Sequence, residues 1–283
     1  VVKADGLAAG KGVIICNSVS DGEDALNSIM KDKIFGAAGS EVVIEEFLTG
    51  EEVSFFVFTD GRNFVPLQSS QDHKAVYDGD KGPNTGGMGA YCPAPIVNEG
   101  LRQTIIDDVV VPTISAMESE GRPYKGILYI GLMIDREDIK VLEYNCRFGD
   151  PEAQPLLFSL KSDIVPLMYS IASGKLEQNE LEWKPGYSVC VVMASKGYPW
   201  GYEKGHEIRG LESVNDKDVY VFHAGTKSAD NKVITNGGRV LGVTAQSYDL
   251  REAITAAYDA VSKIKCPNLF TRTDIGEKAF KHL

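Results

Sequence analysis

Apolar residues along this chain fall in short blocks cut by glycine and acidic turns. Blocks at 1–4, 13–16, 42–44, 53–58 and 63–67 have strand length, as do 126–135, 139–146, 187–194, 219–223 and 240–245. The 53–58 and 63–67 blocks meet at Asp60-Gly61, a tight-hairpin signal. Helical periods are fewer. Ser20-Asp21-Gly22-Glu23 has capping-box spacing, and Ala25, Leu26, Ile29 and Met30 then share a face that ends at Gly36. Residues 101–120 predict a helix kinked by Pro112, and further helices are predicted from Gln154, over 163–172 and over 250–264. Strands and helices in this mixture predict an α+β fold. The texture changes around Glu182-Trp183-Lys184-Pro185-Gly186, where short strands and turns begin to alternate, so 184–283 is expected to be a separate small α+β domain.

One strand carries candidate chemistry on one of its two faces. In Lys140-Val141-Leu142-Glu143-Tyr144-Asn145-Cys146, alternation puts Glu143 and Asn145 on one face. Leu142, Tyr144 and Cys146 take the other, which is expected to be core. The turn Arg147-Phe148-Gly149-Asp150-Pro151-Glu152 follows. An oxygen-rich face beside an arginine suits a magnesium–phosphate site, and it equally suits the solvated edge of an ordinary sheet. The strand alone leaves both open.

Other polar segments add to the choice. Asp5-Gly6-Leu7-Ala8-Ala9-Gly10-Lys11-Gly12 lies between two strands; small residues there let backbone amides approach a phosphate, and Lys3 and Lys11 supply charge. Only three residues separate Gly6 from Gly10-Lys11 and Gly12 follows, so a Walker A loop is excluded. A plain hairpin and a flap over a nucleotide remain. Glu45-Glu46-Phe47-Leu48 follows a strand directly, as a hinge presenting its backbone to an adenine would, with Glu52 available to a ribose; a solvated acidic pair is the alternative. The stretch from Ser69 to Tyr91 holds Gln71-Asp72-His73-Lys74 and then Gly82-Pro83-Asn84-Thr85-Gly86-Gly87-Met88-Gly89-Ala90-Tyr91. A long glycine-rich polar segment with distinct chemistry is expected to be a functional loop. His73 fits a hydrogen-bonding or structural role better than a general base.

Composition excludes several classes. The 283 residues are 43% hydrophobic and carry a net charge of −11, enough for a large core in two or three domains and unlike a nucleic-acid binder, which needs a basic face. Cys16, Cys92, Cys146, Cys190 and Cys266 are scattered without zinc-site spacing, so a reducing cytoplasm is the expected setting. No apolar run approaches the roughly 20 residues of a membrane span. The chain opens inside an apolar strand, Val1-Val2-Lys3-Ala4, so further residues are expected upstream.

Taken in order, the Gly6–Gly12 flap, the Glu45–Leu48 hinge and the Glu143-x-Asn145 strand resemble an ATP-grasp enzyme. Within that superfamily, Gln71-Asp72-His73-Lys74, the run from Gly82 to Tyr91, and Arg147-Phe148-Gly149-Asp150-Pro151-Glu152-x-Gln154 resemble the phosphoribosylamine–glycine ligase (glycinamide ribonucleotide synthetase) family. So do Phe222-His223-Ala224-Gly225-Thr226 and Asn236-Gly237-Gly238-Arg239-Val240. The resemblance covers nearly the whole chain.

It implies two α+β subdomains clasping ATP, with 1–46 an incomplete lid, 47–183 the catalytic subdomain and 184–283 a C-terminal domain. It also implies an N-terminal domain upstream of Val1 as a partner. The implied reaction joins glycine to 5-phosphoribosylamine with ATP and Mg²⁺ or Mn²⁺. Lys3, Gly6, Gly10, Lys11 and Gly12 would hold phosphates, Glu45, Glu46, Phe47, Leu48 and Glu52 adenosine, and Glu143 and Asn145 the metal. Arg147, Asp72, Lys74 and Asp150 would be catalytic, with Asp150 and Glu152 holding Arg147 or the substrate amine. His73, Asn84, Thr85, Gly86, Gly87 and Glu152 would line the substrate side. Another ATP-grasp carboxylate–amine ligase, or an inactive nucleotide-binding fragment, is the competing reading.

Overall fold

Every peptide group buried in a sheet must find a partner, and here apolar runs far apart in sequence supply them for one another. The computed structural model describes residues 1–8, 12–178 and 180–283. They form two compact units, Val1–Gly50 and Glu51–Leu283.

In the first unit, strand Val2–Ala4 lies between Val13–Ile14 and Val42–Ile44 in an antiparallel three-stranded sheet. Helix Val19–Leu26 continues through a π-helical turn, Asn27–Lys31, and its Ala25 and Ile29 pack on Val2. The helix starts two residues before the expected box. Ser18 Oγ accepts from Asp21 N at 3.1 Å, and the Asp21 carboxylate accepts from Asn17 N at 2.9 Å. Both serines have box spacing; the earlier one wins because it adds helix while still satisfying amides at the start.

The second unit is built on two sheets. The first has the order Asp138–Asn145, Gly126–Asp135, Glu51–Thr59, Phe64–Pro66, all antiparallel. Its inner strands are apolar on both faces because both faces are covered. Val53, Phe55 and Val57 pack with Ile105, Val109 and Ile114, while Phe56 and Phe58 pack with Leu156, Leu167 and Ile171. The helix over 101–120 is divided into Glu99–Ile105, a π-helical turn Ile106–Val110, and Val111–Ser119. Pro112 lacks the amide that would continue the ladder, and the wider turn before it accommodates the loss.

The other sheet has six strands and runs Val219–His223, Arg239–Ser247, Tyr187–Ser195, Gly89–Cys92, Gln71–Asp72, with Leu269–Phe270 beside Tyr187–Ser195. Helix Leu250–Lys263 covers it with Leu250, Ala253, Ile254, Ala257 and Ala260. The stretch expected as a functional loop is thus largely strand: Gln71–Asp72, Ala75–Tyr77, Lys81–Asn84 and Gly89–Cys92. Small residues made it look like a loop, yet Gly89 and Ala90 are buried because they lie against Val191 and Cys190 of the neighbouring strand. This sheet crosses the expected limit at 183/184, and the chain divides at Gly50/Glu51 rather than 46/47. Among the described residues no helix is long and apolar enough to cross a membrane.

Candidate active site

Strand Asp138–Asn145 is the edge of the first sheet, and a bulge modifies its alternation. Glu143 lies opposite Gly131, whereas Val141 lies opposite Leu132, with Leu142 inserted between. Glu143 and Asn145 still share a face, because Asn145 Nδ2 donates to Glu143 Oε1 at 3.0 Å. The expected core face is not core: Tyr144 is 46% exposed, Cys146 is exposed and Leu142 is only half-buried. An edge strand has one neighbour, and the bulge turns Val141 to the side of Tyr144.

Across the same unit, a buried carboxylate sits beneath the turn that follows this strand. Glu152 is 3% exposed, and its Oε1 accepts from Ser54 Oγ and Tyr129 OH, each at 3.0 Å. Ser54 belongs to strand Glu51–Thr59 and Tyr129 to Gly126–Asp135, so two central strands hold this group. Half-buried Asp72 is close enough to feel it. Burial first, and then the Glu152 charge, hold the Asp72 carboxyl well above the usual carboxylate range, against the pull of Lys74, the His73 amide and Arg239. Lys74 is paired with Glu52. Burial opposes its charge, but Glu52, Asp72 and Glu143 outweigh burial and raise its pKa. Glu52, Asp72, Lys74, Glu143 and Glu152 therefore form one electrostatic neighbourhood.

Arg239 closes the group from the second sheet. Nη1 donates to Gly86 O at 2.6 Å and also to Asp150 O, and Nη2 reaches Asp150 Oδ2 at 2.9 Å. Its Cζ stands 2.8 Å from where a Cβ on Gly86 would be, so a larger residue there would displace it. Gly87 has φ +110°, and a Cβ on it would lie 2.7 Å from Asp72 Oδ1. Thr85 organises the same turn: its Oγ1 donates to Lys74 O at 2.8 Å and accepts from Gly87 N at 3.0 Å. Asn84 is exposed beside it.

Some expected roles change. Arg147 donates to Phe148 O at 2.8 Å. Asp150 is held by Arg239 and by Gln154 Nε2 (2.8 Å), and Glu152 by Ser54 and Tyr129. His73, expected on the substrate side, is fully buried: Nε2 accepts from Gly276 N at 3.3 Å and the ring packs edge-on to Tyr91 at 5.9 Å. It is corrected to a core residue, because alternation along the strand that holds Asp72 at the site turns its neighbour inward. Arg239, Ser54 and Tyr129 were not singled out from sequence. Arg239 stood in a quoted glycine-rich turn, which was its only signal; a serine and a tyrosine within apolar strands gave none.

In the first unit Lys3 pairs with Glu45 at 2.5 Å, and Gly6 N donates to Ala38 O at 3.0 Å. Gly12 O accepts from Ala4 N at 2.8 Å. Glu46, Phe47 and Leu48 follow strand Val42–Ile44 in irregular chain, Phe47 being 60% exposed. Gly10 and Lys11 lie outside the described residues. Among the described residues no three or more histidine, cysteine or acidic side chains are grouped as a metal site, so Glu143 with Asn145 is a pair of donors and no more.

Residues 1–153 match the family described as phosphoribosylglycinamide synthetase, ATP-grasp (A) domain, and residues 188–278 match phosphoribosylglycinamide synthetase, C domain. A phosphoribosylamine–glycine ligase of Rhodopirellula baltica is 52% identical over 99% of this chain and 64% of its own length. One of Vibrio parahaemolyticus is 51% identical over 99% of this chain and 65% of its own. The chain thus spans somewhat less than two thirds of these relatives. The crystal structure of the Thermotoga maritima phosphoribosylamine–glycine ligase superposes with a TM-score of 0.83 at 37% identity, over 96% of this chain and 68% of that one. The biotin carboxylase domain of Hydrogenobacter thermophilus 2-oxoglutarate carboxylase, solved with MgADP, shares the fold with a TM-score of 0.68 at 16% identity, over 95% of this chain and 58% of that one.

Proposed function

Because the chain belongs to the phosphoribosylglycinamide synthetase family, we propose that it serves the ATP-dependent joining of glycine to 5-phosphoribosylamine, a step of purine biosynthesis. The products are glycinamide ribonucleotide, ADP and phosphate. The observation that carries the proposal is the convergence at Arg239. Two long family-like runs, 82–91 and 147–154, are joined there through Gly86 and Asp150, beside Asp72, Lys74 and Glu152.

A carboxylate does not react with an amine until it gains a leaving group. The glycine carboxylate attacks the γ-phosphorus, the bond to ADP breaks, and glycyl phosphate forms. The amine of phosphoribosylamine then attacks the acyl carbon, phosphate leaves, and the nitrogen gives up a proton. Phosphoryl transfer of this kind needs positioning and charge neutralisation above all. Lys74 carries a firm positive charge for a phosphoryl oxygen. Arg147 is exposed and offers a fork to the glycine carboxylate or the acyl phosphate. Burial and the Glu152 charge raise the Asp72 pKa, so its carboxylate binds a proton more readily than an ordinary one and is the group proposed to take the amine proton. Asn84, Thr85, Gly86 and Gly87 present polar backbone and side-chain atoms to the substrates, and Asp150 and Glu152 fix the turn around Arg147.

Glu143 and Asn145 fit a hard divalent cation, since they offer oxygens without imidazole or thiolate, and Mg²⁺ or Mn²⁺ is the expected ion. Such an ion, when bound, neutralises phosphate charge in transfer. Lys3, Gly6, Gly12, Glu45, Glu46, Phe47, Leu48 and Glu52 are the residues proposed to contact the nucleotide. Release of phosphate by the full-length polypeptide tests the reading. It is expected to require glycine and phosphoribosylamine together. Turnover with another carboxylate or amine would assign a different ATP-grasp ligase, and nucleotide binding without turnover would leave a non-catalytic module.

A further inference from the structure

Residues 75–84 form a hairpin outside both main sheets, with strands Ala75–Tyr77 and Lys81–Asn84. All four residues of the returning strand are exposed, so packing contributes little to its placement. The turn itself is conformationally costly. Gly79, Asp80 and Gly82 have φ of +67°, +55° and +81°. For Asp80 the left-handed conformation costs about 1–2 kcal/mol. A Cβ on Gly82 would lie 2.8 Å from Val76 Cγ1. Yet this hairpin delivers the Asn84–Gly87 turn to Lys74 and Asp72.

Its support comes from the far end of the chain. The Arg272 side chain has no solvent exposure. Nη1 donates to Ala75 O at 3.0 Å and to Asp80 Oδ1 at 2.9 Å, while Nε and Nη2 each reach the Asp274 carboxylate at 2.7 Å. The neighbouring residues repeat the grip. Thr273 N donates to Asp78 Oδ1 at 2.8 Å, Gly79 N donates to Asp274 Oδ2 at 2.8 Å, and Lys278 Nζ lies 3.0 Å from Asp80 Oδ2. Gly276 N donates to His73 Nε2 just before the hairpin begins. A guanidinium withdrawn wholly from water must have its donors met, and here the hairpin meets both N–H groups of Nη1.

We propose that Arg272 is a positioning residue for the acceptor side, gripping Ala75 and Asp80 so that the hairpin holds the Asn84–Gly87 turn in its working place. The proposal rests on the functional reading above, since it predicts which substrates feel the grip. Asp80→Asn in the full-length polypeptide tests it, because Arg272 keeps Asp274 and the buried charge stays paired. Amide exchange over residues 81–87 is expected to quicken. KM for glycine and phosphoribosylamine is expected to rise about tenfold, as small misplacements at a reacting site do. KM for ATP is expected to stay within about twofold. Unchanged exchange at 81–87, or a fall in thermal stability with every KM unaltered, would overturn it. Arg272→Lys, which cannot serve both carboxylates in one plane, is expected to shift the same two readouts in the same direction. If the unaltered protein does not turn over glycine and phosphoribosylamine, the functional reading fails, and amide exchange alone decides the grip.

Discussion

Arg239 Nη2 donates to Asp150 Oδ2 at 2.9 Å, across 89 residues of sequence. Its Nη1 meanwhile reaches Gly86 O at 2.6 Å. One guanidinium thereby ties the glycine-rich turn to the turn that follows the Glu143 strand. Lysine is a point charge and cannot make both attachments in fixed directions. Arg239→Lys is therefore expected to lower kcat/KM for glycine by about 10²-fold. ATP affinity, measured by equilibrium binding, is expected to change little. Equal losses for both ligands would show that Arg239 supports the unit as a whole rather than this junction.

Glu143 is the one carboxylate of its pair of donors, and Asn145 Nδ2 already points at it. Removing the charge while keeping the shape isolates its part in holding a cation. Glu143→Gln is expected to raise the Mg²⁺ concentration needed for half-maximal turnover by at least about tenfold, one ligand charge among few. Normal turnover at low Mg²⁺ would falsify the assignment.

The apolar blocks announced the sheets well because strands buried on both faces have little choice, as in Val53–Phe58 and Ile127–Leu132. Helix Leu250–Lys263 was equally plain, since alanines and leucine repeat on its one covered face. The polar motifs named the candidate site because their chemistry is local. What stayed hidden was long-range. Nothing in Gly89-Ala90-Tyr91-Cys92 shows that Tyr187–Ser195 will pair with it, and that pairing turns an expected loop into sheet; nor does the sequence show that Gly276 and Tyr91 will close over His73. The bulge at Leu142 leaves no mark in an alternating pattern. Arg239 lies far in sequence from Gly86 and Asp150, so its place in a glycine-rich turn is its only sequence signal and the folded chain shows which backbone it holds.

Arg147 donates to the carbonyl of the next residue and is otherwise directed to solvent, unlike Arg239. A structural role would therefore be small, and its loss is expected to leave stability nearly unchanged. Its fork matches a carboxylate or acyl phosphate in a way a lysine does not. Arg147→Lys is expected to lower kcat by about 10²-fold, the scale seen when a preorganised donor to developing charge is lost. An unchanged kcat would remove Arg147 from the chemical step.

His73 makes an expectation about stability and pH. Burial first, then the Lys278 and Arg272 charges, lower its pKa from 6.5 to about 3. The folded protein therefore keeps the ring neutral where an unfolded chain would protonate it. The neutral ring also accepts from Gly276 N, a contact that imidazolium could not make at that nitrogen. Its contribution to stability is whole above pH 6.5 and is lost as pH falls from there towards about 3, at about 1.4 kcal/mol per pH unit. Between pH 6.5 and 5 this group alone removes about 2 kcal/mol. His73→Gln keeps an acceptor for Gly276 but does not titrate. Urea unfolding at pH 7 and pH 5 is expected to show a smaller acid loss in the variant than in the unaltered protein, by about that amount. Identical losses in the two would mean that His73 takes up its proton without opening the core.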